Sequence, residues 1–312
     1  MLPPGLLSFP LTAFDSSGDL DLAAFRSHLD DQIQAGPAAV FVACGTGEYS
    51  ALSEREHARL ARAAVEAAAG RVPVFVGIGG GVATAKANAQ AAAEAGADGA
   101  LLLPPYLVSG PDQGLLAHVR AVAAVGTLPL IVYRRATAIF GPDAAVDLLD
   151  VPTVIGVKDG VGDVDTVTRM VTAVRSSGHA KAESFLFLNG LPTAELSAMA
   201  YRGLGVPQYS SAIFCAAPDI ALAFSRALIA GDDARCQQLL HTFYLPYAAL
   251  RDRVRGYHVA LVKAGARWRG RDRGFDVGGV RPPLVDPTTD DVSALIGLIE
   301  NTRTLLHTEE VA

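Results

Sequence analysis

One pattern restricts the fold of this chain more than any other. A short apolar run, a turn and a helical pattern follow one another eight times. The apolar runs cover residues 6–9, 38–43, 72–76, 99–103, 128–133, 153–157, 184–188 and 205–209. Most are built of Val, Ile, Leu or Phe without polar alternation, as strands of a parallel sheet buried on both faces are. The last departs furthest from that pattern, because it contains Pro207 and Gln208.

The segments between the runs carry helix signals. Leu22, Phe25, Leu29 and Ile33 share one helical face, and Gly36 ends it. Ser53 and Glu56 form a capping box. Residues 84–95 are alanine-rich and stop at Gly96, and Leu116, Val119 and Val122 mark a helix that closes at Gly126. Pro142 suits a first helical turn. Asp163 can cap a helix carrying Val167, Met170, Val171 and Val174, and Pro192 opens one more.

Eight strand–helix units predict a closed (β/α)8 TIM barrel, although the alternation by itself also permits an open doubly wound sheet. After Pro218 only helical patterns remain, over about 218–230, 232–246, 247–268 and, beyond an Arg281-Pro282-Pro283 loop, 290–306. We therefore expect a barrel over residues 1–216 and a C-terminal helical extension over 217–312, packed on it without a linker.

Half of the 312 residues are hydrophobic and 19% are charged, which supports a large buried core and excludes disorder. A net charge of −6 without a basic stripe argues against nucleic acid and anionic membranes as partners. No apolar run approaches the ~18 residues of a membrane span. No charged side chain precedes Asp15, unlike the basic start of a signal peptide. Three cysteines, Cys44, Cys215 and Cys236, are too few and too odd in number for a disulfide framework, so a reducing cytoplasm is expected.

In a barrel the chemistry gathers where strands end. That rule selects residues 44–48, 77–81, 104–106, 133–135, 158–160, 189–193 and 210–211. Lys158 stands out. It is one of only four lysines among 26 basic residues, and it closes the sixth run. At the edge of an apolar wall, desolvation disfavours an ammonium, and a neutral amine attacks carbonyls to form a Schiff base. The structural alternative is a lysine that reaches water or pairs with Asp159. Tyr133 closes the neighbouring fifth run, where a phenol can relay protons beside a cation, or can simply be a core residue with a wet hydroxyl.

Cys44-Gly45-Thr46-Gly47-Glu48 offers backbone N–H groups and a hydroxyl to an anion, and Gly77-Ile78-Gly79-Gly80-Gly81 is similar; either also reads as a tight turn. Of the adjacent Arg134 and Arg135, at most one can face a pocket, where its fork would suit a carboxylate. Ser210 and Ser211 offer hydroxyls. No metal is expected: the seven histidines are scattered, and helix capping accounts for Asp159, Asp163 and Asp165 more simply than a cation does.

Taken together, Gly45-Thr46-Gly47-Glu48, Tyr133 and Gly156-Val157-Lys158-Asp159 resemble the dihydrodipicolinate synthase / N-acetylneuraminate lyase superfamily. Phe9-Pro10, Leu102-Leu103-Pro104-Pro105-Tyr106-Leu107, Val157 to Asp163, Gly190-Leu191-Pro192-Thr193-Ala194-Glu195, Tyr209-Ser210-Ser211-Ala212 and Val280-Arg281-Pro282-Pro283-Leu284 extend the resemblance over nearly the whole chain, and resemble its sugar-diacid dehydratase branch most. The resemblance implies a barrel with a C-terminal helical bundle, a homotetramer built as a dimer of dimers, and no cofactor. It implies a Schiff base on Lys158, proton transfer by Tyr133 and a substrate carboxylate beside Gly45, Thr46 and Gly47.

Several positions depart from the synthase branch. Gly45 replaces the first of two turn threonines, Ala138 stands at the position of the carboxylate-binding arginine, and Leu107 replaces the tyrosine exchanged between subunits. Arg135 is the expected substitute arginine, and Arg134 replaces the dehydratase branch's asparagine. The resemblance thus implies a lyase that dehydrates and decarboxylates a six-carbon 2-oxo sugar diacid. Arg135 and the Thr46 turn would clamp carboxylates, Thr193 and Ser211 would meet hydroxyls, and Gly190 would line the site. A retro-aldol lyase or synthase on the same lysine, or a barrel that binds a keto acid without turnover, remains open.

Overall fold

A computed structural model describes residues 2–310. Its first part alternates β1 (Leu7–Ser8), α1 (Leu22–Gln34), β2 (Ala39–Val42), α2 (Glu54–Ala68), β3 (Val74–Gly80), α3 (Val82–Glu94), β4 (Gly99–Pro105) and α4 (Asp112–Ala123). It continues through β5 (Leu130–Arg134), α5 (Pro142–Asp147), β6 (Val154–Asp159), α6 (Val164–Ser176), β7 (Leu186–Asn189), α7 (Glu195–Gly203), β8 (Ser210–Ser211) and α8 (Pro218–Ala230). The strands pair in parallel in the order β7-β6-β5-β4-β3-β2-β1-β8. A bridge from Asn189 to Tyr209, with Asn189 N–H donating to the Gln208 carbonyl at 2.9 Å, draws β7 and β8 together. This is the expected eight-stranded barrel wrapped in helices.

Strand alternation divides the apolar side chains into two layers. Leu7, Phe9, Phe41, Phe75, Leu101, Ile131 and Leu188 fill the interior, and the alternate residues pack against the helices. Phe9, Phe41 and Phe75 stack successively, with centroids 4.8 and 4.7 Å apart. They form an aromatic floor under the C-terminal end of the barrel. Local signals hold where they were strong: Ser53 and Glu56 cap α2 reciprocally, and the Asp163 carboxylate accepts from Thr166 N–H at the start of α6.

Several boundaries shift for identifiable reasons. The eighth strand is Ser210–Ser211, beyond the expected 205–209, because Pro207 brings no N–H to a ladder. The glycine run expected as a loop after the third strand continues as strand through Gly80. There a Cβ on Gly77 would lie 2.3 Å from the Ala43 carbonyl oxygen, so this glycine permits close strand packing and does not cradle an anion. The helix expected at Pro192 begins at Glu195.

In the extension, α9 (Asp233–Leu239) passes through a π turn (Leu240–Tyr244) into α10 (Leu245–Arg251), and then come α11 (Tyr257–Gly270) and α12 (Thr289–Glu310). The expected helix over 247–268 is broken at Gly256, which adopts φ +94°. The boundary drawn at 216/217 falls between β8 and α8, and one continuous hydrophobic core crosses it. The extension also grips the turn after β2. Lys263 Nζ meets Glu48 Oε1 at 2.7 Å, and Arg281 donates its backbone N–H to Glu48 Oε2 at 2.8 Å. Among the described residues no helix is long and apolar enough to cross a membrane.

Candidate active site

The register places Tyr133 of β5 opposite Lys158 of β6, and Lys158 opposite Leu188 of β7. All three point into the barrel, above the aromatic floor. Lys158 Nζ lies 4.1 Å from the Tyr133 ring centroid and 4.6 Å from that of Phe9, so two aromatic faces hold it. Lys158 and Tyr133 are 4% and 7% exposed, and therefore almost wholly screened from bulk water.

The Tyr133 hydroxyl donates to the Gly190 carbonyl at 2.8 Å and accepts from Arg135 Nη1 at 3.0 Å. Burial by itself raises this phenol. The nearby charges of Lys158 and Arg135, with their hydrogen bonds, outweigh burial and hold it below its ordinary value. An amine and an acidified phenol facing one space can form an imine and move protons around it.

The cleft above them, about 680 Å³, is lined by Lys158, Tyr133, Gly45, Thr46, Arg135, Gly190 and Thr193 among others. Those seven expected residues are thus brought together. Two are not. Gly47 sits behind the turn, where its carbonyl accepts from Thr12 Oγ1 at 2.6 Å and a Cβ would press on the Pro10 carbonyl. Ser211, expected to meet a substrate hydroxyl, points out of the barrel and donates to Glu195 Oε1 at 2.5 Å. Parity explains the correction: Ser211 pairs with outward Ser8, whereas Ser210 pairs with inward Leu7 and lines the cleft. Glu195 is fully buried, which raises its carboxyl to about 7.

Arg134 turns outward and is buried against Asp159 at 2.8 Å, leaving Arg135 to the cleft. Asp159 is held there, Asp163 caps α6 and Asp165 pairs with Arg169 at 2.9 Å. Cys44 lines the cleft, but burial pushes its thiol up to about 12, so it offers no thiolate. A second hollow, about 370 Å³, is walled by Leu115, Leu116, Val119 and Phe140 and presents almost only hydrocarbon.

Strand ends alone cannot reveal the three lining residues that the extension supplies. Tyr247, Arg251 and His258 reach the cleft from the extension. Arg251 Nη1 donates to Thr193 Oγ1 at 2.6 Å, and its Nε and Nη2 grip Asp252 at 2.8 and 3.0 Å. Burial, and then the charges of Arg135 and Arg251, hold His258 below its ordinary value. No local signal marks these positions, because they belong to ordinary helix ends in the sequence.

A model of the dihydrodipicolinate synthetase family matches residues 2–301. A Streptomyces coelicolor protein named as a probable 5-dehydro-4-deoxyglucarate dehydratase is 52% identical over 306 residues, covering 98% of this chain and 95% of that protein. One of the same name from Streptomyces griseus is 54% identical over 302 residues, covering 97% and 92%. Among solved structures, a prophage protein of the dihydrodipicolinic acid synthase family from E. coli K12, in complex with pyruvate, superposes with a TM-score of 0.84 at 26% identity, covering 96% and 98%.

Proposed function

The chain belongs to the dihydrodipicolinate synthetase family, and we propose that within it the chain converts 5-dehydro-4-deoxyglucarate to 2,5-dioxopentanoate, water and CO2. The observation that carries this reading is the Lys158–Tyr133 pair, which faces a cleft with guanidinium groups on its walls. The chain's 52% identity to a relative of that name selects this reaction among those the pair can run.

The Lys158 amine adds to the oxo carbon, and Tyr133 passes its phenolic proton to the departing oxygen, so that loss of water leaves an iminium beside the phenolate. The iminium acidifies the adjacent CH2, and Tyr133, whose phenol is already lowered, takes that proton. The β-hydroxyl then leaves as water, taking that proton back from Tyr133, and yields a conjugated iminium. The distal carboxylate departs as CO2, its electron pair passing into that extended sink. Reprotonation and hydrolysis release the dioxo acid and free Lys158. The electron sink is made from the protein's own amine, so the reaction needs no cofactor. Gly45 and Thr46 with Arg135 hold the carboxylate beside the oxo carbon, and Thr193 meets a hydroxyl. With no Cβ on Gly45 and its hydroxyl partner missing, proton transfer falls to Tyr133 and water.

The test is borohydride trapping with 5-dehydro-4-deoxyglucarate, read by peptide mapping, beside product analysis. An adduct on Lys158 with CO2 release is expected. Pyruvate release without CO2 would replace this reading with a retro-aldol one, which pyruvate in the E. coli relative favours as the alternative. No adduct with any 2-oxo acid would remove both.

Two variants probe the pair. A Cβ on Gly190 would lie 2.7 Å from Lys158 Cγ and 2.8 Å from Nζ. The flexible lysine would yield, so Gly190→Ala is expected to lower kcat by roughly 100-fold through misplacement of the amine, with little change in melting temperature. Unchanged kcat would mean that the amine tolerates displacement. Arg135→Ala removes one of the groups that lower the Tyr133 phenol. The acid limb of the kcat–pH profile is expected to move to higher pH, because less phenolate is present at any given pH. An unmoved limb would assign proton abstraction to another group.

The proposal extends to a cytoplasmic homotetramer, a dimer of dimers, acting on this small diacid. Tyr106, Leu107 and Val108, 71%, 77% and 68% exposed after β4, supply an apolar contact surface for it. Sedimentation showing a monomer would overturn the assembly.

A further inference from the structure

We propose that Arg251 selects the substrate's second carboxylate, and that Asp252 offsets its charge so that this carboxylate can still leave as CO2. The inference rests on the dehydratase reading above and names the group that reads the far end of its substrate. Two guanidinium groups line the cleft, Arg135 and Arg251. Arg135 is engaged with the Tyr133 hydroxyl at 3.0 Å, close to Lys158. A 2-oxo acid joined to Lys158 carries its first carboxylate next to the reacting carbon, within the province of Arg135 and the Gly45–Thr46 turn. Its second carboxylate lies at the other end of a six-carbon chain and needs a different cation. His258 also lines the cleft, but burial and the two arginine charges disfavour its protonated form, so it competes poorly with a permanent guanidinium. Arg251 remains.

Its environment suits the role. The Arg251 side chain is 13% exposed, and its head is anchored by Thr193 Oγ1 at 2.6 Å and the Pro192 carbonyl at 3.3 Å. An anchored fork discriminates between ligands with and without a carboxylate, because little ordering remains to be done on binding. Asp252, 65% exposed, already occupies one edge of that fork. This matters for the chemistry. Loss of CO2 carries negative charge away from the carboxylate into the iminium, so an unopposed guanidinium would hold the ground state more strongly than the transition state. With Nη1 on Thr193 and Pro192, and Nε and one Nη2 hydrogen on Asp252, Arg251 keeps one Nη2 hydrogen for the carboxylate and carries little net charge. It orients the carboxylate without clamping it.

Concentration-dependent borohydride trapping on Lys158 tests the selection with two probes of equal chain length, 2-oxoadipate with two carboxylates and 2-oxohexanoate with one. Arg251→Gln is expected to raise the apparent Kd for 2-oxoadipate roughly tenfold and to leave 2-oxohexanoate nearly unchanged. Arg251→Lys should recover part of the difference. Equal weakening of both probes would reduce Arg251 to a brace for the Thr193 loop, and no weakening of 2-oxoadipate would overturn the selection outright. Asp252→Asn is expected to lower KM and kcat together in turnover of 5-dehydro-4-deoxyglucarate; unchanged or raised values would overturn the counter-charge. If the unaltered protein forms no adduct with either probe, the dehydratase reading itself fails. If it traps both equally well, only the present inference fails.

Discussion

Lys158→Met is expected to abolish turnover, by roughly 10⁴-fold or more, and to eliminate the borohydride-trapped adduct while the barrel stays folded. Methionine keeps an unbranched side chain between the Phe9 and Tyr133 rings, so packing over the aromatic floor survives. What disappears is the amine, and with it the iminium on which every later step depends. Tyr133 changes too. The Lys158 charge is the foremost influence that lowers its phenol against burial, so the phenol rises and a residual water reaction loses its proton acceptor. Lys263, the other fully buried lysine, cannot substitute, because its ammonium is bound to Glu48 at 2.7 Å outside the cleft lining. Intact mass, kcat and melting temperature separate the outcomes. An adduct persisting on another lysine would displace Lys158 from the mechanism, and loss of folding would leave Lys158→Arg, which keeps the charge without a nucleophilic amine, as the decisive variant.

That prediction draws on what the sequence makes legible. Periodicity exposes eight units because parallel strands are buried on both faces and their runs are uniformly apolar. Lys158 is legible because a charged residue ends such a run in a chain that otherwise prefers arginine. Legibility fails where long-range contacts decide. Whether Ser210 or Ser211 faces inward depends on a register with β1 that is set some 200 residues away, and a shift by one residue exchanges the faces. Gly77 reads as an anion loop until the Ala43 carbonyl is found beneath it. Tyr247, Arg251 and His258 carry no mark of the cleft, since only the folding of the extension onto the barrel brings them there.

The Glu48–Lys263 pair shows the same dependence in energetic form, and breaking it should cause the largest loss of stability. Its side chains are 2% and 1% exposed and 215 residues apart in sequence. Lys263 Nζ also lies 4.2 Å from the Phe14 centroid, and Glu48 Oε2 accepts the Arg281 N–H at 2.8 Å. Burial holds the Lys263 ammonium below its ordinary value even though Glu48 opposes that shift. Removing one partner leaves the other charge in an apolar site, so Lys263→Met is expected to destabilise the protein by about 3–5 kcal/mol in denaturant unfolding. Replacing both, as Glu48→Gln with Lys263→Met, should cost clearly less than the sum of the single changes, because the stranded charge is gone. The effect should also reach the cleft. Glu48 sits at φ +56° at the end of the Gly45-Thr46-Gly47 turn, a conformation held by its partners, and releasing it loosens the backbone that faces Lys158. The folded fraction of Lys263→Met is therefore expected to bind 2-oxohexanoate more weakly in the trapping assay. Additive losses in the double variant, or a single loss under about 1 kcal/mol, would show that the pair is solvated and that the extension does not hold the turn.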